Sequence, residues 1–99
     1  MAKYRRAARV DKNQREIVKA LRSIPGVTVE TGHDDILVGY RGRTYWFEIK
    51  APRAIGADGR VKRSEMTDSE VARLEGWAGH YSIASSIDDI LSTIKRSDL

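Results

Sequence analysis

A chain of 99 residues, 40% hydrophobic and 32% charged, suits one compact core and leaves no room for a large multidomain enzyme. No apolar run approaches the roughly 18 residues of a membrane-spanning helix, so no membrane partner and a soluble, intracellular chain are expected. Without cysteine there are neither disulfides nor thiolate zinc sites, and His33 and His80 alone cannot make a structural zinc site. The net charge of +4 divides unevenly: residues 1–63 carry 15 Lys and Arg against 7 Asp and Glu, whereas residues 64–99 carry 3 against 7. The basic portion suits a polyanion such as DNA, because neutralising phosphates releases counterions. Ordinary solubility is the other reading of a charge this size.

The first ten residues, with Lys3, Arg5, Arg6 and Arg9 among small side chains, read as a basic arm able to lie on DNA, ahead of a single domain over 11–99. Asp11 caps an expected helix over 12–23, whose Ile17, Leu21 and Ile24 keep helical spacing until Pro25-Gly26 stops it. Two β-rich runs follow, 27–31 and 36–38, separated by Gly32, His33 and Asp34. The next run, 44–50, places Tyr45, Phe47 and Ile49 on one face and Trp46, Glu48 and Lys50 on the other. A long basic loop then carries Arg53, Arg60, Lys62 and Arg63, candidate phosphate contacts or simply solvated side chains. Thr67-Asp68-Ser69-Glu70 is a capping box opening a helix expected to bury Val71, Leu74 and Ala78, with Trp77 beside them, and to end at Gly79. A short strand at 80–84 and an amphipathic helix with Ile87, Ile90, Leu91 and Ile94 complete the chain. The order αβββαβα predicts an α/β fold, a mixed β-sheet flanked by helices.

The residues that carry chemistry are Asp35, Glu48 and Lys50. A two-residue turn at Arg41-Gly42 pairs Tyr40 with Arg43, Val38 with Tyr45, Ile36 with Phe47 and Asp35 with Glu48, whereas a three-residue turn puts Asp35 opposite Phe47 on the wrong face. Two carboxylates crowded on one face repel unless a cation sits between them, and hard Mg²⁺ or Mn²⁺ is the natural occupant. The Lys50 ammonium, two residues on, could orient a water or stabilise charge on phosphorus. Solvated charges on an exposed sheet face are the bland alternative. Tyr45, Phe47 and Trp77 read as core or interface aromatics, and His33 as an exposed loop residue.

Residues Gly32 to Gly39, followed by Phe47-Glu48-Ile49-Lys50, resemble the PD-(D/E)XK nuclease signature of an Asp before an apolar strand and Glu-x-Lys on the next. The flanks, from Asp11 to Glu16 and from Met66 to Trp77, are similar to those of small phage and bacterial VRR-NUC proteins, relatives of Holliday junction resolvases, and the likeness spans about residues 11–92. The resemblance implies a restriction-endonuclease-like core and a Mg²⁺- or Mn²⁺-dependent DNA endonuclease. Its substrate would be branched DNA such as Holliday junctions, met in DNA recombination and repair, and it would act as a homodimer in the cytoplasm of a bacterial cell or phage-infected host. It makes Asp35 and Glu48 metal ligands, Lys50 the catalytic lysine and Glu16 a further acidic ligand from the first helix. Asp34 stands where the family often has proline, so either aspartate could be the ligand; Asp35 abuts the apolar run and fits the register. Glu70 stands where a Gln is frequent, and the capping box explains it without catalysis. A noncatalytic basic DNA-binding module, or a protein-interaction module, is the rival reading.

Overall fold

The computed structural model describes residues 12–32 and 35–97. The basic arm with Arg5, Arg6 and Arg9, the Asp11 cap, His33 and Asp34 therefore lie outside the described residues.

Helix α1 (Lys12–Arg22) turns Ile17, Val18 and Leu21 to the core and unwinds through Ser23 and Ile24, whose amides donate to the carbonyls of Ala20 and Leu21. Strands β1 (Val27–Thr31), β2 (Asp35–Tyr40) and β3 (Arg43–Ile49) form an antiparallel meander, and β4 (Tyr81–Ala84) adds to β3 in parallel, giving a four-stranded mixed sheet in the order β1-β2-β3-β4. The parallel step needs a crossover. Helix α2 (Asp68–Gly76) supplies it, and α3 (Ile87–Ser97) closes the chain.

The β2–β3 register pairs Asp35 with Glu48, Ile36 with Phe47, Val38 with Tyr45 and Tyr40 with Arg43, as expected from a two-residue turn. Arg41 and Gly42 both take positive φ, 54° and 79°, which joins right-twisted strands without splaying them. A left-handed conformation costs a non-glycine residue roughly 1–2 kcal/mol, and the Arg41 guanidinium lies over the Tyr40 ring, 5.3 Å from its centroid.

Strand alternation divides the sheet. Val29, Ile36, Val38, Tyr45, Phe47, Ile49 and Ala84 face one way and pack with Ile17, Val18 and Leu21 of α1 and Ile90 and Ile94 of α3. This inner face is the hydrophobic core. The Asn13 amide group ties α1 to the sheet end by donating to the carbonyls of Lys50, at 3.0 Å, and Ser85, at 3.3 Å.

The outer face holds Leu37, Trp46, Glu48 and Tyr81, and α2 lies across its β3–β4 half. Here the helical periodicity misleads. The helix ends at Gly76, with Trp77 as its C-cap, short of the expected Gly79, and Glu70 is its buried residue; Val71 is half-buried, and Leu74 and Ala78 are exposed. The reason is the surface beneath it: a sheet face bearing Glu48, Lys50 and Tyr81 is matched by Glu70 and Arg73, not by an apolar stripe. In α3, Leu91 is likewise exposed while Ile90 and Ile94 carry the burial. The loop between β3 and α2 is ordered by 3-10 turns at Pro52–Ala54 and Arg63–Glu65 and by an antiparallel bridge from Ile55 to Val61.

Candidate active site

Asp35 opens β2, Glu48 stands opposite it on β3, and Lys50 follows two residues on, so strand pairing and alternation alone put the three on the outer face. Glu48 is only 2% exposed. Burying a carboxylate is costly unless it is paired and hydrogen-bonded, and α2 and β4 meet that requirement. The Tyr81 hydroxyl donates to Glu48 Oε1 at 3.2 Å, and an Arg73 guanidinium nitrogen lies 3.6 Å from the same oxygen. Arg73 is itself seated between aromatic faces, 4.9 Å from the Trp46 centroid and 5.6 Å from that of Tyr81.

Lys50 Nζ donates to Glu70 Oε1 at 2.9 Å. The same oxygen accepts from the Thr67 amide at 3.0 Å, while the Glu70 amide donates to Thr67 Oγ1 at 3.2 Å, completing the expected capping box. One carboxylate thus caps α2 and anchors the lysine. Burial raises the Glu70 pKa, but hydrogen bonds from the Thr67 amide and the Lys50 ammonium outweigh it and hold the group below its ordinary 4.5. Tyr81 goes the other way: burial and the Glu48 charge push its hydroxyl well above its ordinary 10, so it stays a proton donor to Glu48.

Asp35 is partly exposed, and its Oδ2 accepts from Trp46 Nε1 at 2.7 Å. Gly32 makes room for it, since a Cβ there would overlap Asp35 Oδ1. Asp35 and Glu48 therefore share a face but lean apart, one toward Gly32 and Trp46, the other toward Tyr81 and Arg73. By chemical type, two carboxylates suit a hard divalent cation. Mg²⁺ commonly takes one or two carboxylates and completes its octahedron with water and substrate phosphate oxygens. Among the described residues no group of three His, Cys, Asp or Glu side chains forms a protein-only cage.

Among the described residues Glu16 forms no group of three with Asp35 and Glu48. Helix α1 packs on the inner face through Ile17, Val18 and Leu21, which leaves Glu16 exposed. Among the basic loop residues, Arg53, Arg60, Lys62 and Arg63 are all exposed, but Arg63 is paired with Asp68 at 2.7 Å and Arg53 lies 3.6 Å from Glu65. Exposed pairs of this kind are weak and readily exchanged for phosphate.

Sequence reasoning missed Arg73 and Tyr81 and gave Glu70 a purely structural role. The available signal was spacing, because Glu70 and Arg73, three apart, share a helix face and can meet the same surface. Compared with protein-family models, curated proteins and solved structures, the chain matches none.

Proposed function

We propose that the chain is a small metal-dependent DNA endonuclease of the PD-(D/E)XK, VRR-NUC type, with a restriction-endonuclease-like core, acting on branched DNA. The observation that carries this reading is the pairing of Asp35 with Glu48 across β2–β3, with Lys50 two residues on from Glu48. Two opposed carboxylates and an amine on one sheet face are what phosphodiester hydrolysis asks for.

In this reading Asp35 and Glu48 would hold Mg²⁺ or Mn²⁺. The bound ion would supply Lewis acidity toward the scissile phosphate and a lowered pKa for a coordinated water. Lys50 offers up to three N–H donors, one engaged by Glu70 and the others available to orient a water or to meet negative charge developing on phosphorus. Glu70 is then a positioning residue, fixing the lysine rotamer from the first turn of α2. Arg73 and Tyr81 neutralise and hydrogen-bond Glu48, and a cation on Glu48 would share that carboxylate with them. The basic loop and arm would track the DNA backbone, which sets affinity but not sequence. A homodimer would let two such sites address two strands.

One observation favours the noncatalytic rival. Lys50 and Arg73 already pair with Glu70 and Glu48, so the cluster could be a structural ion network beneath a DNA-binding surface. Incubating the protein with four-way junction, flap and linear duplex DNA, with Mg²⁺, Mn²⁺ or chelator, separates the two. The expected result is cleavage that needs the metal and favours the junction. Tight binding of junction DNA with no cutting in either metal would establish the rival.

A further inference from the structure

Helix α2 covers only the β3–β4 half of the outer sheet face. Over the other half a cavity of about 410 Å³ opens beside Asp35, lined by Glu30, Asp35, Leu37, Trp46 and Trp77 among others. That volume lies within the roughly 300–1,000 Å³ range of small-molecule sites. Leu37 and Trp46 are cross-strand partners and form its floor, and Trp77, at the C-cap of α2, meets Trp46 edge to face with ring centroids 4.9 Å apart. Trp77 remains 51% exposed and Leu37 43%. The cavity thus offers an apolar floor and an aromatic wall open to solvent, with carboxylates beside them.

The chemistry of the cavity identifies its occupant. Glu30 and Asp35 on the rim repel a phosphate, yet their oxygens accept hydrogen bonds from exocyclic amines, while the indoles and Leu37 offer flat apolar surface. A neutral, planar group with amine donors fits inside, with any phosphates it carries held outside the acidic rim. From this geometry we infer that the cavity is a docking site for one unpaired nucleobase of a DNA strand, lodged against Trp77 beside Asp35. Bases inside a duplex have both faces stacked and their pairing edges engaged, so only a base out of the helix can enter. Stacking on an aromatic side chain tolerates any base, while the carboxylates favour the three bases that carry an exocyclic amine, so the site selects unpaired structure with a bias against thymine. The inference rests on the DNA-directed reading above and gives that site a reason to prefer branched or flapped DNA.

Both tryptophans of the chain line this cavity, so intrinsic fluorescence reports on it directly. The test is a titration in chelator, with a hairpin duplex bearing a three-nucleotide flap, the same duplex with an abasic flap, and the fully paired duplex. Saturable quenching by the base-bearing flap is expected, with binding about tenfold weaker for the abasic flap. Trp77→Ala should erase that difference and Trp77→Phe should retain most of it, circular dichroism showing both variants folded; Leu37→Ser gives a second, independent loss. Equal affinity for base-bearing and abasic flaps would overturn the site, as would sedimentation showing that a second copy occupies the cavity and dissociates on Trp77→Ala. Because metal is absent, the two readings fail separately. A flap-base preference without cleavage in Mg²⁺ or Mn²⁺ removes the nuclease and keeps the cavity, whereas cleavage without a base preference does the reverse.

Discussion

Glu48→Gln and Lys50→Ala should each slow metal-dependent cleavage of junction DNA by at least about a hundredfold, equivalent to roughly 2.7 kcal/mol of transition-state stabilisation. The two losses differ in kind. Glutamine preserves the shape of the buried Glu48 side chain and can still accept the Tyr81 hydroxyl at the position of Oε1, so the fold should persist while the anionic ligand is gone. Lys50→Ala removes the donor proposed to meet the reacting phosphate and leaves both carboxylates in place, so metal affinity should survive while the single-turnover rate falls. Measuring rate and metal dependence together on the two variants checks the assignment. Matching losses of metal affinity in both would place Lys50 in a structural role.

The second large effect is on stability. Glu70 is 5% exposed and serves two partners with one oxygen, Lys50 Nζ and the Thr67 amide. Glu70→Ala should therefore cost about 3 kcal/mol in urea unfolding, since removing one member of a buried ion pair strands the other and a lost cap adds to it. Replacing both partners, Lys50→Met with Glu70→Leu, should recover most of that loss, because the expense lies in the stranded charge. The same group sets a pH dependence. Its folded-state pKa lies below the ordinary 4.5, so its contribution is complete above that value and disappears as pH falls through the folded pKa. Unfolding midpoints followed downward from pH 5 should fall more steeply in the wild type than in Glu70→Ala. Parallel slopes would show that another group governs the acid limb.

What was legible beforehand follows from which physics acts locally. The β2–β3 register could be read because strand alternation has a period of two and Arg41-Gly42 accepts the left-handed conformations of a two-residue turn; parity then forced Asp35 opposite Glu48. The core was legible for the same reason, since Tyr45, Phe47 and Ile49 alternate with Trp46, Glu48 and Lys50. Helix α2 was not. Its position was announced by the Thr67 capping box, but its buried side was assigned by apolar periodicity, and that rule assumes an apolar surface underneath. The surface underneath is Glu48, Lys50 and Tyr81, so Glu70 and Arg73 face inward and Leu74 faces solvent. The partners of Glu48 come from β4 and α2, more than twenty residues away, and no local pattern encodes that meeting. Glu16 shows the converse. Its place on α1 was legible, but whether a helix residue joins a sheet-face cluster depends on tertiary placement that spacing does not encode.

The claim on which the functional reading depends is that Asp35 and Glu48 together hold a divalent cation. Titrating Mn²⁺ into the protein and following the electron paramagnetic resonance signal of the free ion measures this without DNA or turnover. A saturable site is expected in the wild type, lost in both Asp35→Asn and Glu48→Gln and kept in Glu16→Gln. Saturable binding that persists unchanged in the first two variants, or a wild type that removes no Mn²⁺ from solution, would contradict the claim.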